Sequence, residues 1–429
     1  MTNSYHVKRS EAPQLHLIED VNFIVPEEIT LNNGIPVYLQ KGGSQDIVRL
    51  EFVFKSGSYQ QQKPLQAFAM THLLKSGTQN KSAAQINELW DFYGAALQID
   101  AQKDIITAGF VSLTRYLPQA LALLLEMISQ PVFPQEELDI FIANRKQKHL
   151  VNQQKVQYLA RVHFSSLIFG DQHPYGRILS LEDFGNINRQ DLETFYRQHI
   201  HPGNCIAFVS GNYPDDMGAI LNNALKNTPW QALPNGLHSE IPLQPDMRRQ
   251  HHVEKEDAVQ SALRIGKTVI SRKHPDHHKL MIANALLGGY FGSRLMQNVR
   301  QDKGYTYGIN SAIVNLMQAA YFFISSQVGN DVASKAVDEV YLELRRLFEQ
   351  PASEAELNML KNYLSASFLR SFDGPFLQAE RFKEILLFDQ DYSYFSDYLA
   401  TLKSISPQEI QEVAFNYLHP DQMTELVVG

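Results

Sequence analysis

An arginine and a tyrosine seven residues apart are the side chains of this sequence with the clearest capacity for chemistry. They are Arg300 and Tyr307, in the glycine-rich stretch GGYFGSRLMQNVRQDKGYTY at residues 288–307. A guanidinium and a phenol on a backbone kept flexible by Gly304 and Gly308 could both reach one substrate oxygen and stabilise charge that develops there. The alternative is that both side chains only pack against their neighbours. The local pattern leaves both interpretations open.

The composition limits the kinds of partner that the chain can have. Its 429 residues include 46 acidic and 38 Lys or Arg side chains, so the formal net charge is −8. We expect no nucleic-acid partner, because a phosphate backbone requires a basic protein face. The N-terminal residues contain no apolar signal-peptide segment, and the most apolar helical run, residues 120–128, is short and carries Glu126. These patterns predict no membrane span.

A single cysteine, Cys205, lies in the apolar run CIAFVSG. One cysteine excludes an internal disulfide and a cysteine-based zinc site. The apolar run predicts a buried structural thiol rather than a nucleophile. We expect a reducing compartment, most simply the cytoplasm.

Short strands and helices alternate along the first half of the chain, which predicts an α+β fold. A capping box at Ser82 and Gln85 marks the start of one helix, and prolines precede a long helix that runs from Glu136 into residues 146–157. The predicted strands are residues 37–40, 47–54, 97–101 and 105–113, and the earlier predicted helices are residues 65–74, 82–93 and 117–129.

The second half of the chain repeats landmarks of the first. The segment INRQDL precedes His201-Pro202 and a strand ending at Gly211, and ISPQEI precedes His419-Pro420 and a strand ending at Gly429. His419 follows His201 by 218 residues, and Gly429 follows Gly211 by the same number. In each copy a capping residue, Asn188 or Ser406, opens the helix before the His-Pro pair. Several matches in the same order indicate a duplicated domain of about 200 residues.

The duplication predicts four regions along the chain. A polar lead-in covers residues 1–21, and an N-terminal α+β domain covers residues 22–227. A proline-rich linker covers residues 228–256, and a C-terminal α+β domain covers residues 257–429. We expect each domain to be an α/β sandwich, in which a mainly antiparallel sheet packs against helices.

Several short motifs, taken together and in order, point to a known family. They are KSGS at residues 55–58, KSGT at 75–78, FGDQHPYGR at 169–177, LLGGYFGSRL at 286–295, and the Arg300 and Tyr307 pair. With these motifs the chain resembles the zinc-peptidase family of pitrilysin, insulin-degrading enzyme and mitochondrial processing peptidase, in particular its short bacterial members. The resemblance implies two homologous domains that form one half of a clamshell.

The zinc motif of that family is degenerate in this sequence. Active members carry H-x-x-E-H shortly before the Gly-Thr, and the corresponding residues here are Phe68-Ala-Met-Thr71-His72. A phenyl ring has no lone pair, and an alcohol is no general base at neutral pH. The third ligand would fall near residues 148–149, but no Asp or Glu occurs in residues 140–170. Because a catalytic zinc normally has three protein ligands, we expect no metal and no peptidase activity in this chain alone.

Other histidines have the spacing of metal ligands. His274, His277 and His278 form an H-x-x-H pattern, and His251 and His252 are adjacent. Both groups lie in polar stretches near the linker, and neither has an acidic residue at the spacing of a general base. We therefore expect solvated surface histidines.

The resemblance implies a role for the Arg300 and Tyr307 pair. In the family, an arginine and a tyrosine at this spacing hold the substrate and stabilise the oxyanion from the domain opposite the metal. Several short bacterial members are split between a zinc-bearing chain and a chain that keeps only this pair. The present chain would then be the catalytically incomplete subunit of a heterodimer, with zinc in the partner subunit. A self-dimer is the other assembly considered.

The same resemblance suggests how a peptide substrate would be held. Gly288, Gly289, Tyr290 and Phe291 would line the chamber. A strand at residues 306–313 or 320–328 could pair with an extended peptide by edge addition. The alternative function is a non-catalytic structural or peptide-binding scaffold of the same fold.

Overall fold

The structure is a computed structural model in which residues 21, 23–226, 228–231, 233 and 241–429 are described. Almost all of the predicted lead-in and residues 234–240 of the predicted linker lie outside this described part.

The first sheet has six strands. They are β1 (Glu27–Thr30), β2 (Pro36–Lys41), β3 (Ile47–Phe54), β4 (Ala96–Ala101), β5 (Ile106–Leu113) and β6 (Cys205–Gly211). Their order is β1-β2-β6-β3-β5-β4, and the β2–β6 pair is parallel whereas the other pairs are antiparallel. The strands on either side of Gly42 and Gly43 are therefore not neighbours, because β6 returns from the end of the domain and lies between them.

The second sheet has five strands. They are β7 (Gln250–Val253), β8 (Gln260–Val269), β9 (Thr306–Asn315), β10 (Ala320–Gly329) and β11 (Thr424–Val428). Their order is β7-β11-β8-β10-β9, with β7 and β11 parallel. Without β1, the first sheet has the same order and the same single parallel pair, so the duplicated α+β fold is confirmed. Strand β7 falls within residues 228–256, which the sequence predicted to be linker.

Thirteen α-helices of the described part surround the sheets. In the first half they are α1 (Gln66–Leu73), α2 (Ala83–Tyr93), α3 (Leu117–Ser129), α4 (Gln135–Asn152), α5 (Val156–Phe169), α6 (Arg189–His199) and α7 (Met217–Lys226). In the second half they are α8 (His277–Asn284), α9 (Ala333–Glu349), α10 (Glu354–Arg370), α11 (Gly374–Leu387), α12 (Ser393–Ser404) and α13 (Pro407–Tyr417). Two π-helical segments, Ala285–Gly289 and Met296–Asp302, follow α8.

The helix starts that the sequence predicts are formed by side-chain caps. Ser82, Asn188 and Ser406 each accept a hydrogen bond from a backbone N–H three residues later, and each completes a capping box. The predicted long helix from Glu136 into residues 146–157 is α4, which ends at Asn152. A second helix, α5, begins at Val156 after an extended residue.

Helices α5 and α11 join the two halves of the molecule. Their first residues are Val156 and Gly374, again 218 positions apart. Helix α5 packs on β8 and β11 of the second sheet, whereas α11 packs on β2 and β6 of the first sheet. Each copy of the repeat therefore covers one face of the other copy's sheet.

Buried contacts hold this exchange together. Phe382 and Ile385 of α11 join Phe208 of the first sheet in one apolar cluster. Beneath it, the Lys383 Nζ lies 3.1 Å from a carboxylate oxygen of Glu51, and both side chains are buried. Glu51 also pairs with Arg49, and Lys383 also pairs with Glu380, so the contact belongs to a network of four charges. The two domains are thus coupled by apolar packing and by charge.

Candidate functional site

Tyr307 lies in a β-bulge at the start of β9. Thr306 pairs with Val328 of β10 and Ile309 pairs with Ser326, so Tyr307 and Gly308 together face one residue of β10. The hydroxyl of Thr306 donates to a carbonyl of β10 at 2.7 Å and accepts from the backbone N–H of Gly308 at 3.1 Å. Bulges commonly redirect a side chain next to a functional site. Here the phenol of Tyr307 points into solvent and is 94% exposed.

Arg300 lies in the second π-helical segment, just before the turn that leads to β9. The backbone N–H of Tyr305 donates to the carbonyl of Val299 at 3.0 Å, which holds this turn closed. The guanidinium carbon of Arg300 lies 4.9 Å from the ring centroid of Phe291, and that ring is 63% exposed. Within the described chain, the guanidinium of Arg300 forms no hydrogen bond or ion pair. Arg300 and Tyr307 therefore flank one short turn, and no described residue occupies their side-chain donors.

The two glycines of the predicted chamber have different surroundings. A Cβ on Gly288 would lie 2.6 Å from the hydroxyl oxygen of Ser311 and 2.8 Å from its backbone nitrogen. Gly288 is buried, and it lets the first π-helical segment approach β9 closely. Gly289 is exposed.

Tyr290 belongs to a separate cavity. Its ring stacks on Tyr363 with centroids 4.9 Å apart, and it lines a cavity of about 840 Å³ together with the ion pair of Arg294 and Glu356. Burial raises the pKa of the Tyr290 phenol, and the nearby Glu356 carboxylate adds to this effect. Neither Arg300 nor Tyr307 lines that cavity. The structure therefore brings Phe291, but not Tyr290, together with Arg300.

One of the two strands suggested for peptide pairing is accessible. Strand β10 pairs with β8 on one side and with β9 on the other, so it has no free edge for a peptide. Among the strands of the described residues, β9 is the last in its sheet and pairs only with β10. Edge addition at residues 320–328 is thus excluded, and residues 306–313 lie on the free edge.

The degenerate zinc motif lies on α1 beneath an arginine. The guanidinium carbon of Arg145, on α4, lies 5.5 Å from the ring centroid of Phe68 and 5.8 Å from that of Phe141. The exposed ring of His72 lies 5.0 Å from the ring of Phe141. A fixed cation over an aromatic ring is favourable, but the same cation repels a metal ion.

Of the remaining motif positions, Thr71 is unsuited to zinc, and His72 is a single possible ligand where a catalytic zinc normally has three. The buried hydroxyl of Thr71 lies 3.0 Å from the carbonyl of Ala67 and donates back to its own helix. Desolvation, followed by the charges of Lys75 and Arg145, lowers the pKa of His72. Among the residues that the structure describes, no group of three or more His, Cys, Asp or Glu side chains could hold a metal ion. The residues at this position do not fit a zinc ion.

The region where the third ligand would fall contains no acidic side chain. Lys148 is exposed, and His149 is buried against the ring of Phe184 with centroids 5.5 Å apart. The Nδ1 of His149 lies 3.4 Å from the hydroxyl of Tyr158. The lack of acidic residues here was visible in the sequence, whereas the role of Arg145 was not predicted. The available signal was its spacing of four residues from Phe141 on the same helix.

The prediction of solvated histidines in residues 274–278 is wrong for His277. This side chain is 1% exposed, and its ring nitrogens have no hydrogen-bond partner in the described residues. Desolvation, with the nearby His278, Arg272 and His274, lowers the pKa of His277 to about 3. The neighbouring residues in the sequence are polar, and for this reason the prediction placed His277 at the surface. In the structure His277 begins α8, on the face that packs against α12 and α13.

No helix among the described residues combines the length and apolar character needed to cross a membrane. The cytoplasmic location stays a prediction.

Comparison with known proteins gives two family matches that follow each other along the chain. Residues 37–173 match the profile described as "Insulinase (Peptidase family M16)". Residues 186–364 match the profile described as "Peptidase M16 inactive domain". The first profile lies within the N-terminal half of the repeat, and the second begins near the end of that half and extends to residue 364 of the C-terminal half.

Bacterial proteins of similar length are the relatives. The chain is 21% identical to an uncharacterized zinc protease, YmxG, of Bacillus subtilis, over 80% of this chain and 84% of that protein. It is 22% identical to the "Non-peptidase homolog YmxG" of Helicobacter pylori, over 78% of this chain and 77% of that protein.

Solved structures share the fold over nearly the whole chain. A peptidase M16 inactive domain from Pseudomonas fluorescens superposes with a TM-score of 0.86 at 22% identity, covering 94% of this chain and 98% of that one. The periplasmic protease PqqL of Escherichia coli superposes with a TM-score of 0.79 at 16% identity, covering 97% of this chain but 47% of PqqL. The chain belongs to the M16 peptidase family, and Phe68, Thr71 and His72 stand at its zinc-motif positions.

Proposed function

We propose that this chain is the zinc-free subunit of a two-subunit peptidase, and that it supplies Arg300 and Tyr307 to a zinc-bearing partner. The observation that carries the proposal is an asymmetry between the two halves. The metal position is filled by Phe68 beneath Arg145, whereas Arg300 and Tyr307 stand on an open turn without internal partners among the described residues. A pair that served only packing would be expected to be buried or paired.

Each of the two side chains would donate hydrogen bonds to the substrate. The guanidinium of Arg300 offers several N–H groups to a carbonyl oxygen, and the phenol of Tyr307 offers one more. Donors fixed in place before the reaction stabilise negative charge that develops on that oxygen. The zinc of the partner, when bound, would polarise the same carbonyl and activate water.

The length of PqqL supports an assembly of two such chains. This chain spans 47% of the PqqL chain, so one copy corresponds to about half of that protease. A separate subunit would then supply the other half of a clamshell. Strand β9 begins next to the pair, and its free edge would let an extended peptide lie beside Tyr307.

The test is a peptidase assay with this chain mixed with a zinc-motif homologue from the same organism. We expect peptide cleavage by the mixture and none by this chain alone. Arg300→Ala should lower kcat of the mixture by about 100-fold or more, the effect of removing one oxyanion donor. Tyr307→Phe removes one hydroxyl and should lower kcat in the same direction.

Matched control variants separate chemistry from assembly. Arg345 is exposed on α9, and Arg345→Ala removes the same type of side chain away from the pair. Size-exclusion chromatography of each variant with the partner shows whether the complex still forms. Unchanged activity in both Arg300→Ala and Tyr307→Phe, with the complex intact, would refute the proposal.

A scaffold without catalysis is the second candidate, and the Helicobacter pylori relative described as a non-peptidase homologue favours it. This role would use the fold to bind a peptide or a second subunit. It predicts that no mixture with a zinc-motif homologue cleaves peptides better than that homologue alone. A partner-dependent gain that is lost in Arg300→Ala would exclude the scaffold role.

A further inference from the structure

A cavity of about 1250 Å³ lies beside α1, where the zinc motif has been lost, and Phe68 forms part of its wall. Its volume exceeds the range of about 300–1,000 Å³ that is usual for small-molecule sites, so a peptide segment could enter it. Six glutamine side chains contribute to the wall: Gln60, Gln61, Gln62, Gln102, Gln172 and Gln198. Carboxamides both donate and accept hydrogen bonds, which suits the backbone of a peptide.

All charged side chains in the described part of the cavity wall are basic. Lys103, Arg145, Arg161 and Arg177 line the cavity, and no Asp or Glu of the described residues does so. The whole chain has more acidic than basic side chains, so a wholly basic wall is not explained by the composition.

Three of these cations lack a carboxylate partner. Arg177 forms an ion pair with Asp183 at 3.3 Å, but no ion pair of the described chain involves Lys103, Arg145 or Arg161. Arg145 lies over two aromatic rings, and the guanidinium carbon of Arg161 lies 5.4 Å from the ring centroid of Tyr158. Such contacts leave the N–H groups at the edge of each guanidinium available.

The cations also repel one another. Desolvation first lowers the pKa of Lys103, the neighbouring Asp104 carboxylate raises it, and the charge of Arg161 lowers it again. The carboxylate of Asp104 is engaged elsewhere, since it accepts from the hydroxyl of Tyr175 and from the backbone of Met317. An anion bound between Lys103 and Arg161 would remove this repulsion.

We propose that this cavity is a binding subsite for the carboxylates of an acidic peptide, formed by Lys103, Arg145 and Arg161. The inference deepens the proposed function, because it names the class of peptide that the subunit would hold. The carboxylate could belong to an acidic side chain or to a peptide C-terminus, and both would meet the same three cations.

The test measures binding of fluorescent ten-residue peptides to the purified full-length chain by fluorescence anisotropy. One peptide carries four Glu in a Gly/Ser background, and its match carries four Gln. Each is made with a free and with an amidated C-terminus. We expect tighter binding of the Glu peptides if side chains are recognised, and of the free-acid forms if the C-terminus is recognised. Either preference should weaken as salt rises, because added ions screen the cations.

Charge variants then locate the site. Lys103→Gln and Arg161→Gln should each lower the affinity for the preferred peptide by about three- to tenfold, as expected for loss of one cation. Lys148→Gln is the matched control, because Lys148 is exposed on the helix of Arg145 but outside the cavity wall. Equal affinity for all four peptides, or an equal loss in Lys148→Gln, would overturn the proposal.

The same measurement separates this proposal from the proposed function. Binding to the chain alone needs neither a partner nor Arg300 and Tyr307. If Arg300→Ala leaves peptidase activity of the mixture unchanged while acidic peptides still bind, the proposed function fails and the subsite stands. If that variant abolishes activity while binding shows no charge preference, only the subsite fails.

Discussion

His277 connects the packing around α8 to a measurable pH dependence. Its side chain is buried, and its ring nitrogens have no partner within the part of the chain that is described. Desolvation is the main reason that its pKa falls to about 3, and the nearby His278 and Arg272 add to it. The reference pKa of histidine in an unfolded chain is about 6.5.

The sign of the effect follows from proton uptake. Above pH 6.5 both states of His277 are neutral, so its contribution to stability is fully present there. As the pH falls below about 6.5, the unfolded chain takes up a proton that the folded chain does not bind, and the unfolded state is favoured. The loss continues until the pH reaches the folded pKa of about 3. Between pH 7.5 and pH 5 the loss is about 2 kcal/mol.

The perturbation is His277→Phe, which keeps a ring in the cavity but removes the titrating group. The free energy of unfolding is measured by urea titration with far-UV circular dichroism at pH 7.5 and at pH 5, for wild type and variant. The variant can be less stable at both pH values, since its ring is larger. We expect the stability of wild type relative to the variant to fall by about 2 kcal/mol at the lower pH.

The control is His252→Phe, because His252 is exposed on β7. This variant should keep the pH dependence of wild type. A difference between wild type and His277→Phe that stays constant from pH 7.5 to pH 5 would refute the reasoning, because it would mean that His277 takes up its proton in the folded state.

Two further predictions concern the site. Gly288→Ala should destabilise the fold by roughly 1–3 kcal/mol, because its methyl group would press on β9. Gly289→Ala should destabilise the fold less, and thermal unfolding of the two variants measures the difference. Restoring two motif positions with Phe68→His and Thr71→Glu should not give stoichiometric zinc by metal analysis, because Arg145 remains above α1 and a third ligand is missing. Tightly bound zinc at one ion per chain would contradict this account.

The local features of the fold could be predicted from the sequence. The capping boxes at Ser82 and Ser406 depend on residues three positions apart, and the duplication depends on a constant offset of 218 residues. The unsuitability of Phe68 and Thr71 for zinc chemistry depends on their functional groups alone. None of these conclusions requires knowledge of distant contacts.

The tertiary structure decided the features that depend on residues far apart in sequence. Arg145 covers Phe68 from another helix, about 77 positions away, and this contact explains how the lost metal position is filled. Lys103 and Arg161 line one cavity although the chain between them forms the strand β5 and the helices α3 and α4. The spacing of residues along a chain does not predict such long-range contacts.

The Arg300 and Tyr307 pair shows both contributions in one place. The sequence shows the two residue types and their spacing of seven residues, which indicate hydrogen-bond donors for a substrate oxygen. Whether those donors are free was decided by packing: a bulge opposite β10 turns Tyr307 into solvent, and the ring of Phe291 supports Arg300 from one face. The chemistry was set by the side chains, and their availability by contacts between strands and turns that only the folded chain brings together.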